Sequence, residues 1–315
     1  MEETRIGLLF PGQGSQAVGM GRDLAERFPE ARETFREADE ALGFALSRLC
    51  WEGPEEELTL TANAQPALLT HSAAVWRVLR KEGVQVVAAA GHSLGEFSAY
   101  FAAGSLDFAD AVRAVRRRGE LMLEAGRVRP GTMAAVLGLD DAVVEGVCGE
   151  ASTDGSVVVA ANFNSPGQVV ISGDVEAVER AGALLVSAGA KKVTGLNVSG
   201  AFHSPLMAPA EAGLQVHLDS VALRGPAFPV VSNVTASPVS DADEARLLLV
   251  RQLTSTVRWT DSVRTLLQLG VTRFLEVGPG KVLTGMLKRI DRAAEGRGTP
   301  LGTADAVEAY LQARG

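Results

Sequence analysis

The stretch Val84-Gln-Val-Val-Ala-Ala-Ala-Gly91-His92-Ser93-Leu94-Gly95-Glu96 decides the fold. It begins with an apolar, β-branched run, which is typical of a strand buried on both faces of a sheet. The residues from Gly91 to Gly95 match the pattern G-x-S-x-G, and the run that follows favours a helix. Strand, sharp turn and helix are the context of a nucleophile elbow. The stretch therefore predicts Ser93 as a nucleophile; a serine that only caps the helix is the alternative.

The composition is that of an ordinary globular protein with an acidic excess. The 315 residues are 46% hydrophobic and 22% charged, with a formal net charge of −8, which argues against nonspecific nucleic-acid binding. The apolar runs are too short to span a membrane, and the first residues do not resemble a signal peptide. Cys50 and Cys148 have no metal-site spacing and indicate a reduced environment. We expect a cytoplasmic protein that binds neither membrane nor nucleic acid.

The order of helices and strands predicts an α/β fold with a parallel central sheet. Between residues 128 and 198 the order changes to βαββαβ, the ferredoxin-like pattern. We therefore expect a discontinuous catalytic domain, residues 1–127 and 199–315, with an inserted ferredoxin-like subdomain, residues 128–198. The tail from about Arg292 is rich in Gly, Ala and charged residues and is expected to be partly mobile.

A catalytic base for Ser93 is sought among four histidines. His71 and His217 lie in predicted helices, and the side chain of His92 should point away from its neighbour Ser93. His203 lies in an irregular loop between a predicted strand and helix, where a base for a serine at the rim of a sheet would lie. Position alone leaves His203 as either this base or an ordinary loop histidine.

The helix after Asp107 has an apolar stripe, and Arg116 and Arg118 fall at its two edges. An arginine at such an edge either extends into water or holds an anion in a partly dry site. Periodicity does not choose between the two arginines or between the two roles.

The turn Gly12-Gln13-Gly14 follows the first predicted strand and imitates a dinucleotide-binding fingerprint. That fingerprint needs a second strand where this sequence is helical. We interpret the turn as one that brings Gln13 and free backbone N–H groups to the carboxyl ends of the strands. No cofactor is expected.

Six ordered motifs resemble those of malonyl-CoA:acyl carrier protein transacylases, a family related to the acyltransferase domains of polyketide and fatty-acid synthases. The motifs are Phe10-Pro-Gly-Gln-Gly-Ser-Gln16, Gly91-His-Ser-Leu-Gly-Glu96, Asn162-Phe-Asn-Ser-Pro-Gly-Gln168, Gly200-Ala-Phe-His-Ser204, Val250-Arg-Gln252 and Glu276-Val-Gly-Pro-Gly-Lys281. The resemblance implies an α/β-hydrolase-like core with a ferredoxin-like insert. It also implies ping-pong transfer of malonyl from malonyl-CoA to the phosphopantetheine thiol of an acyl carrier protein, for fatty-acid synthesis. A trans-acting polyketide-synthase acyltransferase, using malonyl or methylmalonyl groups, and a serine thioesterase or esterase are the alternatives.

The resemblance also implies roles for single residues. Ser93 would be the nucleophile, His203 its base, and Arg118 the residue that binds the malonyl carboxylate, which decides between the two arginines at the stripe. The backbone N–H groups of Gln13 and Leu94 would hold the oxyanion.

Four further residues are expected in the substrate site. Gln252 helps to build it, and a main-chain carbonyl near this glutamine orients the histidine in place of a carboxylate. Phe202 would crowd an α-methyl group, although one methyl is worth only about 1–3 kcal/mol of discrimination. His92 and Asn162 lie in shared motifs and are counted with them.

Docking of an acidic acyl carrier protein on an acidic chain requires local positive charge. The candidates are Lys191 and Lys192 on the insert, with Arg116 and Arg117 on the helix after the elbow. A role in solubility is the alternative for each. A monomer is expected.

Overall fold

The computed structural model describes residues 4–314, which form fourteen α-helices and ten β-strands. The first part of the chain forms β1 (Ile6–Phe10), α1 (Arg22–Arg27), α2 (Pro29–Leu42), α3 (Leu46–Glu52), α4 (Glu55–Thr59), α5 (Thr61–Lys81), β2 (Val86–Gly91), α6 (Gly95–Ala102) and α7 (Phe108–Val128). The middle part forms β3 (Gly131–Leu137), α8 (Asp141–Ala151), β4 (Val158–Ser165), β5 (Gln168–Asp174), α9 (Val175–Ser187) and β6 (Lys192–Gly195). The last part forms α10 (Ala208–Asp219), β7 (Val230–Val231), β8 (Pro238–Val239), α11 (Ala242–Arg251), α12 (Trp259–Gln268), β9 (Arg273–Glu276), α13 (Val282–Ile290), β10 (Gly298–Pro300) and α14 (Ala304–Gln312).

Two sheets organise these elements. The larger sheet has the order β10-β9-β1-β2-β7-β8, in which β10 through β7 are parallel and β8 pairs antiparallel with β7. Its strand β1 is buried along its whole length, as a strand in the middle of a helix-covered parallel sheet must be. The second sheet has the order β4-β5-β3-β6 and is antiparallel throughout. The predicted α/β class with a parallel central sheet is confirmed.

The elbow forms where the sequence predicts it, between β2 and α6. Ser93 has a φ of 51°, in the left-handed region that residues with a side chain rarely adopt. A Cβ on Gly91 would overlap the backbone of Gly95, and a Cβ on Gly95 would overlap the carbonyl group of Phe10. Both glycines are therefore required by the close crossing of the chain. The result is a serine fixed at the carboxyl edge of the parallel strands.

The expectation of a mobile tail is wrong for residues 298–312. These residues form β10, which pairs with β9 at the edge of the larger sheet, and α14. Leu301, Ala304 and Val307 are completely buried there. Composition misled because three apolar residues are enough to anchor a polar segment when a sheet edge and a helix surface are available to receive them.

Within residues 4–314, no helix has both the length and the apolar character that crossing a membrane requires.

We expect His71 to make the protein less stable in acid. It is completely buried in α5, and neither ring nitrogen has a hydrogen-bond partner among the described residues. Burial lowers the pKa of His71 to about 4, and the nearby Asp23 carboxylate and Gly302 backbone oppose this only in part. An unfolded chain binds the proton with an ordinary pKa of 6.5. Between these two pKa values the unfolded state binds more protons, so the free energy of unfolding should fall as the pH drops.

The variant His71→Leu should remove this contribution. When the pH falls from about 7.5 to about 5, the free energy of unfolding should decrease by about 2 kcal/mol more in wild type than in the variant. Urea titrations at the two pH values measure it. An unchanged difference would show that His71 does not carry the acid sensitivity.

Candidate active site

The structure brings together the three residues expected to carry the chemistry. Ser93 Oγ lies 2.8 Å from His203 Nε2 and 3.1 Å from Arg118 Nη2. The serine comes from the elbow, the histidine from the loop after β6, and the arginine from α7. A nucleophile, a possible base and a cation therefore share one point at the carboxyl edge of the larger sheet.

His203 has the geometry of a general base. Its Nδ1 lies 2.8 Å from the Gln252 backbone carbonyl. A carbonyl only accepts hydrogen bonds, so the proton is on Nδ1, and Nε2 offers its lone pair to the Ser93 hydroxyl. Burial, followed by the charge of Arg118, lowers the pKa of His203 to about 3. The ring is therefore neutral near neutral pH and able to accept a proton.

Arg118 is a buried cation, only 1% exposed. Its Nη1 donates to Gln65 Oε1 at 2.7 Å, and its Nη2 donates to Gln252 Oε1 at 2.8 Å and to Ser93 Oγ. These bonds use three of the five guanidinium N–H groups, and Nε has no partner among residues 4–314. Burial lowers the pKa of Arg118 to about 10, so the side chain remains charged at neutral pH.

Arg118 differs from its neighbours on α7. Arg116 and Arg117 both pair with Glu120, whereas Arg118 forms no ion pair within the described part of the chain. A buried charge that no carboxylate contacts is costly, because its hydration is lost and only partly replaced. The arrangement is therefore suited to a ligand that carries a carboxylate, for which a guanidinium is a good partner.

A cavity of about 330 Å³ opens over the nucleophile. Eight of the residues expected from the sequence line it: Ser93, His203, Arg118, Gln13, Leu94, His92, Asn162 and Phe202. Gln252 lies behind them, joined to Arg118 and His203. The opposite wall comes from the second sheet and includes Met133 and Val170, which were not anticipated because an apolar strand residue that lines a cavity looks like a core residue in a sequence.

Two backbone N–H groups are free at this cavity. Those of Gln13 and Leu94 donate to no acceptor in residues 4–314, and both residues border the space above Ser93. The side chain of Gln13 is bound to Thr61 Oγ1 at 3.2 Å. The two amides are thus available to stabilise negative charge that develops on a carbonyl oxygen.

His92 is held away from the nucleophile. Its Nε2 lies 2.8 Å from Asn164 Oδ1, and its ring packs against Trp259 with 5.5 Å between the ring centres. Burial lowers the pKa of His92. The residue forms part of the cavity wall and does not serve Ser93 as a base.

Sequence reasoning missed two residues that hold the elbow. Asn233 Oδ1 accepts from the Ser93 backbone N–H at 2.7 Å, and its Nδ2 donates to the Gly91 carbonyl at 2.7 Å. Glu96 accepts from the Gln252 side chain at 2.6 Å. Glu96 stood in a quoted motif without a role, whereas nothing in the sequence distinguishes Asn233 from other residues at strand ends.

The four docking candidates differ in their surroundings. Lys191 and Lys192 are exposed and form no ion pair in the part of the chain that the structure describes. Arg116 donates to Glu120, Asn63 and the Ala62 carbonyl, and Arg117 donates to Glu120. The charges of the two arginines are therefore largely used within the chain.

Comparisons with known proteins agree with this geometry. The family model described as "Acyl transferase domain" matches residues 8–300. The chain is 51% identical over 288 residues, 91% of this chain and 93% of the relative, to the malonyl CoA-acyl carrier protein transacylase of Escherichia coli (strain K12). The structure of malonyl-CoA:acyl carrier protein transacylase from Xanthomonas oryzae superposes with a TM-score of 0.94 at 46% identity, over 99% of each chain. A malonyl-transacylase solved in complex with its type II PKS acyl-carrier protein superposes with a TM-score of 0.93 at 44% identity, over 98% of this chain and 100% of the other.

Proposed function

The chain belongs to the acyl transferase domain family, and from that premise we propose that it transfers malonyl from malonyl-CoA to the phosphopantetheine thiol of an acyl carrier protein in fatty-acid synthesis. One observation carries the choice of acyl group: Arg118 is buried, has no carboxylate partner among residues 4–314, and lies 3.1 Å from Ser93 Oγ. An acyl group that brings its own carboxylate supplies the direct ionic contact that Arg118 lacks.

The transfer proceeds in two half-reactions at the same position. Ser93 Oγ attacks the thioester carbonyl of malonyl-CoA while His203 Nε2 takes the hydroxyl proton, and the N–H groups of Gln13 and Leu94 hold the oxyanion. The proton passes to the sulfur of CoA, which leaves as a thiol, and a malonyl ester remains on Ser93. The carrier thiol then gives its proton to His203 and attacks this ester, which restores the serine. Ping-pong kinetics follow, because both thiols use one acyl position.

The malonyl group also changes the basicity of His203. The charge of Arg118 is one of the causes that lower the pKa of His203. A malonyl carboxylate paired with Arg118 offsets that charge and makes His203 a stronger base. The correct substrate thereby improves the group that activates the nucleophile.

Two separate sheets support a finer description of the fold. We assign residues 1–127 and 199–315 to an α/β-hydrolase-like core and residues 128–198 to a ferredoxin-like insert. The second sheet uses only β3 to β6, in the order β3-α8-β4-β5-α9-β6 along the chain. The active site lies where the two sheets face each other.

The chain itself supplies nucleophile, base and oxyanion donors, so the reaction needs no cofactor. A monomer is sufficient for the same reason, and the cytoplasm is the compartment that we propose.

Intact mass spectrometry tests the function. After mixing with malonyl-CoA, the protein should gain one malonyl group on Ser93, with much less labelling by methylmalonyl-CoA and acetyl-CoA. An acyl carrier protein should remove the group much faster than water does. Removal by water at a comparable rate would identify a hydrolase and overturn the proposal.

A basic surface beside the cavity is the proposed docking site of the carrier. The turn at Gly280 lies close to Ser15 and leads into α13. Three exposed cations follow this turn: Lys281, which caps the helix, and Lys288 and Arg289 on the helix. These three cations form no ion pair in the described part of the chain. Arg289 reaches Gln168 Oε1 at 3.5 Å.

The surface continues onto the second sheet. In that sheet Gln168 pairs with Leu137, and Leu137 pairs with Lys192. Lys192 and its neighbour Lys191 therefore extend the basic surface of α13 past the end of the sheet. We favour this surface over Arg116 and Arg117, because their charges are already paired.

The double variant K281E/R289E should slow discharge of malonyl-Ser93 to the carrier by about tenfold or more at low salt, since steering by opposite charge accelerates association by about 10–10³. Loading from malonyl-CoA should change much less. The control R80E/R273E makes the same change of charge with two exposed cations that also form no ion pair in residues 4–314. Arg80 lies at the end of α5, before β2, and Arg273 begins β9, so both lie at the amino edge of the parallel strands. Equal discharge rates in the two double variants would exclude this surface.

A further inference from the structure

Glu96 is a buried carboxylate that the transfer reaction does not use. It is completely buried near the start of α6, one turn after the nucleophile. Its Oε2 accepts from Gln252 Nε2 at 2.6 Å and from the Asn233 backbone N–H at 3.2 Å, whereas its Oε1 has no partner among residues 4–314. Burying a carboxylate with one unsatisfied oxygen is costly, so its presence beside the nucleophile needs a reason.

Glu96 determines how the Gln252 amide is oriented. A carboxylate oxygen only accepts, so the NH₂ group of Gln252 faces Glu96, and this NH₂ also donates to the Ser93 carbonyl at 3.0 Å. The amide oxygen is then left to accept from Arg118 at 2.8 Å. The reversed amide would place donors against the guanidinium. Glu96 therefore acts on the carboxylate-binding arginine through Gln252.

Glu96 is also the carboxylate that opposes the charge of Arg118 across Gln252, and the two charges act on each other's protonation. Strands β1, β2 and β7, which pack on α6, contain no ionisable side chain. On α5, His71 lies near Asp23, Arg77 pairs with Glu37 and Lys81 pairs with Glu30. Arg80 is exposed to solvent. The groups that face Glu96 are Arg118 on α7, His203 beyond Gln252, Tyr100 on α6 itself, and Glu244 of α11 beyond Tyr100.

A malonyl group brings a second carboxylate to the same cation. Two carboxylates and one guanidinium in a water-poor space favour protonation of one carboxylate. The malonyl carboxylate can accept directly from the free N–H groups of Arg118, whereas Glu96 is separated from Arg118 by Gln252 and has a free oxygen. Burial already raises the pKa of Glu96 to about 7, which makes Glu96 the carboxylate that takes up a proton more readily.

We propose that Glu96 positions Gln252 against Arg118 and takes up one proton from solvent on Oε1 when a carboxylated acyl group occupies Arg118. The proton forms an O–H bond on Glu96 and returns to solvent when the acyl group leaves; no bond of the acyl group is made or broken by it. The inference rests on the proposed malonyl function. It makes malonyl binding weaker as the pH rises, because a reaction that takes up a proton is opposed by removing protons.

Proton uptake can be measured with native Glu96. In the variant Ser93→Ala, which cannot be acylated, calorimetric titration with malonyl-CoA in buffers of different ionisation enthalpy should show uptake of close to one proton near pH 8. Acetyl-CoA is the matched control, because it has the same ionisable groups as malonyl-CoA except the malonyl carboxylate. Its binding should not cause Glu96 to take up a proton. Equal proton uptake for the two ligands overturns the inference.

The variant Glu96→Gln, in the Ser93→Ala background, removes the ionisable carboxylate but keeps the size of the side chain. Its amide oxygen can still accept the hydrogen bond from Gln252. Its affinity for malonyl-CoA relative to acetyl-CoA should be constant between about pH 7 and pH 9. With Glu96 present the ratio should fall, approaching a factor of about ten per pH unit. The same pH dependence with and without Glu96 would contradict proton uptake by this residue.

Positioning is tested by comparing Glu96→Ala with Glu96→Gln in the Ser93 protein. The alanine variant frees the Gln252 amide, so its rate of Ser93 malonylation should fall well below that of the glutamine variant. Equal rates in the two variants would show that Glu96 does not position Gln252. Failure of wild-type protein to form malonyl-Ser93 would instead refute the proposed function, so the two failures are distinguishable.

Discussion

Replacing Arg118 by alanine should turn a malonyl-selective transferase into one with little preference among acyl groups. The kcat/KM for malonyl-CoA should fall by about 30- to 5,000-fold, which corresponds to the roughly 2–5 kcal/mol lost when one partner of a buried charge pair is removed. Transfer of acetyl should rise relative to malonyl, because acetyl-CoA no longer leaves a buried cation without a partner. Competition between the two substrates, read by intact mass, measures the ratio.

The geometry around Arg118 supplies the controls for this experiment. Arg117→Ala removes a cation from the next position of α7, but one that is half exposed and already paired with Glu120 and Glu124. It should leave acyl preference unchanged. Arg118→Lys keeps the charge but not the planar fork that bonds Gln65, Gln252 and Ser93, so it should recover only part of the malonyl preference. An Arg118→Ala variant that still prefers malonyl as strongly as wild type would contradict the role of this residue.

Replacing His203 by alanine should slow formation of malonyl-Ser93 by about 10²–10⁴, the usual contribution of a positioned general base. The Ser93 hydroxyl would lose the acceptor that lies 2.8 Å away. Binding of malonyl-CoA should change little, because Arg118 and the free amides remain. Single-turnover loading measures the rate, and His217→Ala on α10 is the matched control.

The buried position of His203 adds a pH signature. Its pKa is lowered to about 3, so the ring stays neutral as the pH falls through the ordinary histidine value of 6.5. Loading of wild-type protein should therefore show no loss of rate between about pH 7.5 and pH 5.5 that is caused by protonation of this base. A histidine-like decline centred near pH 6.5, present in wild type and absent in His203→Ala, would mean that His203 titrates normally.

Local patterns predicted the elements but not all of their partners. The alternation of the β1 and β2 regions with helical stretches predicted the parallel sheet, and Gly91 and Gly95 predicted the elbow because only glycine permits that crossing. The same kind of reasoning wrongly predicted a mobile tail at residues 298–312. Its order depends on β9, which lies on a different part of the chain and offers an edge to β10.

The candidate site, too, was only partly predictable from local patterns. Periodicity placed Arg116 and Arg118 at the edges of one stripe, and resemblance to a family was needed to choose between them. The structure gives the physical difference: Arg116 lies against Phe44 and pairs with Glu120, while Arg118 points into the protein. An amphipathic pattern reports which side of a helix is apolar, but it does not report what packs on that side.

The sequence by itself determined the α/β class, the nucleophile elbow and, through six ordered motifs, the family. These depend on short-range chemistry: the apolar period, the glycines that a crossing needs, and a serine between them. Only the tertiary structure joined Ser93 to His203, gave Gln252 its two roles, and placed Glu96 and Arg118 on opposite sides of that glutamine. The physical reason is that charge balance and amide orientation arise among residues far apart in the chain, and they take effect only when folding removes the water between them.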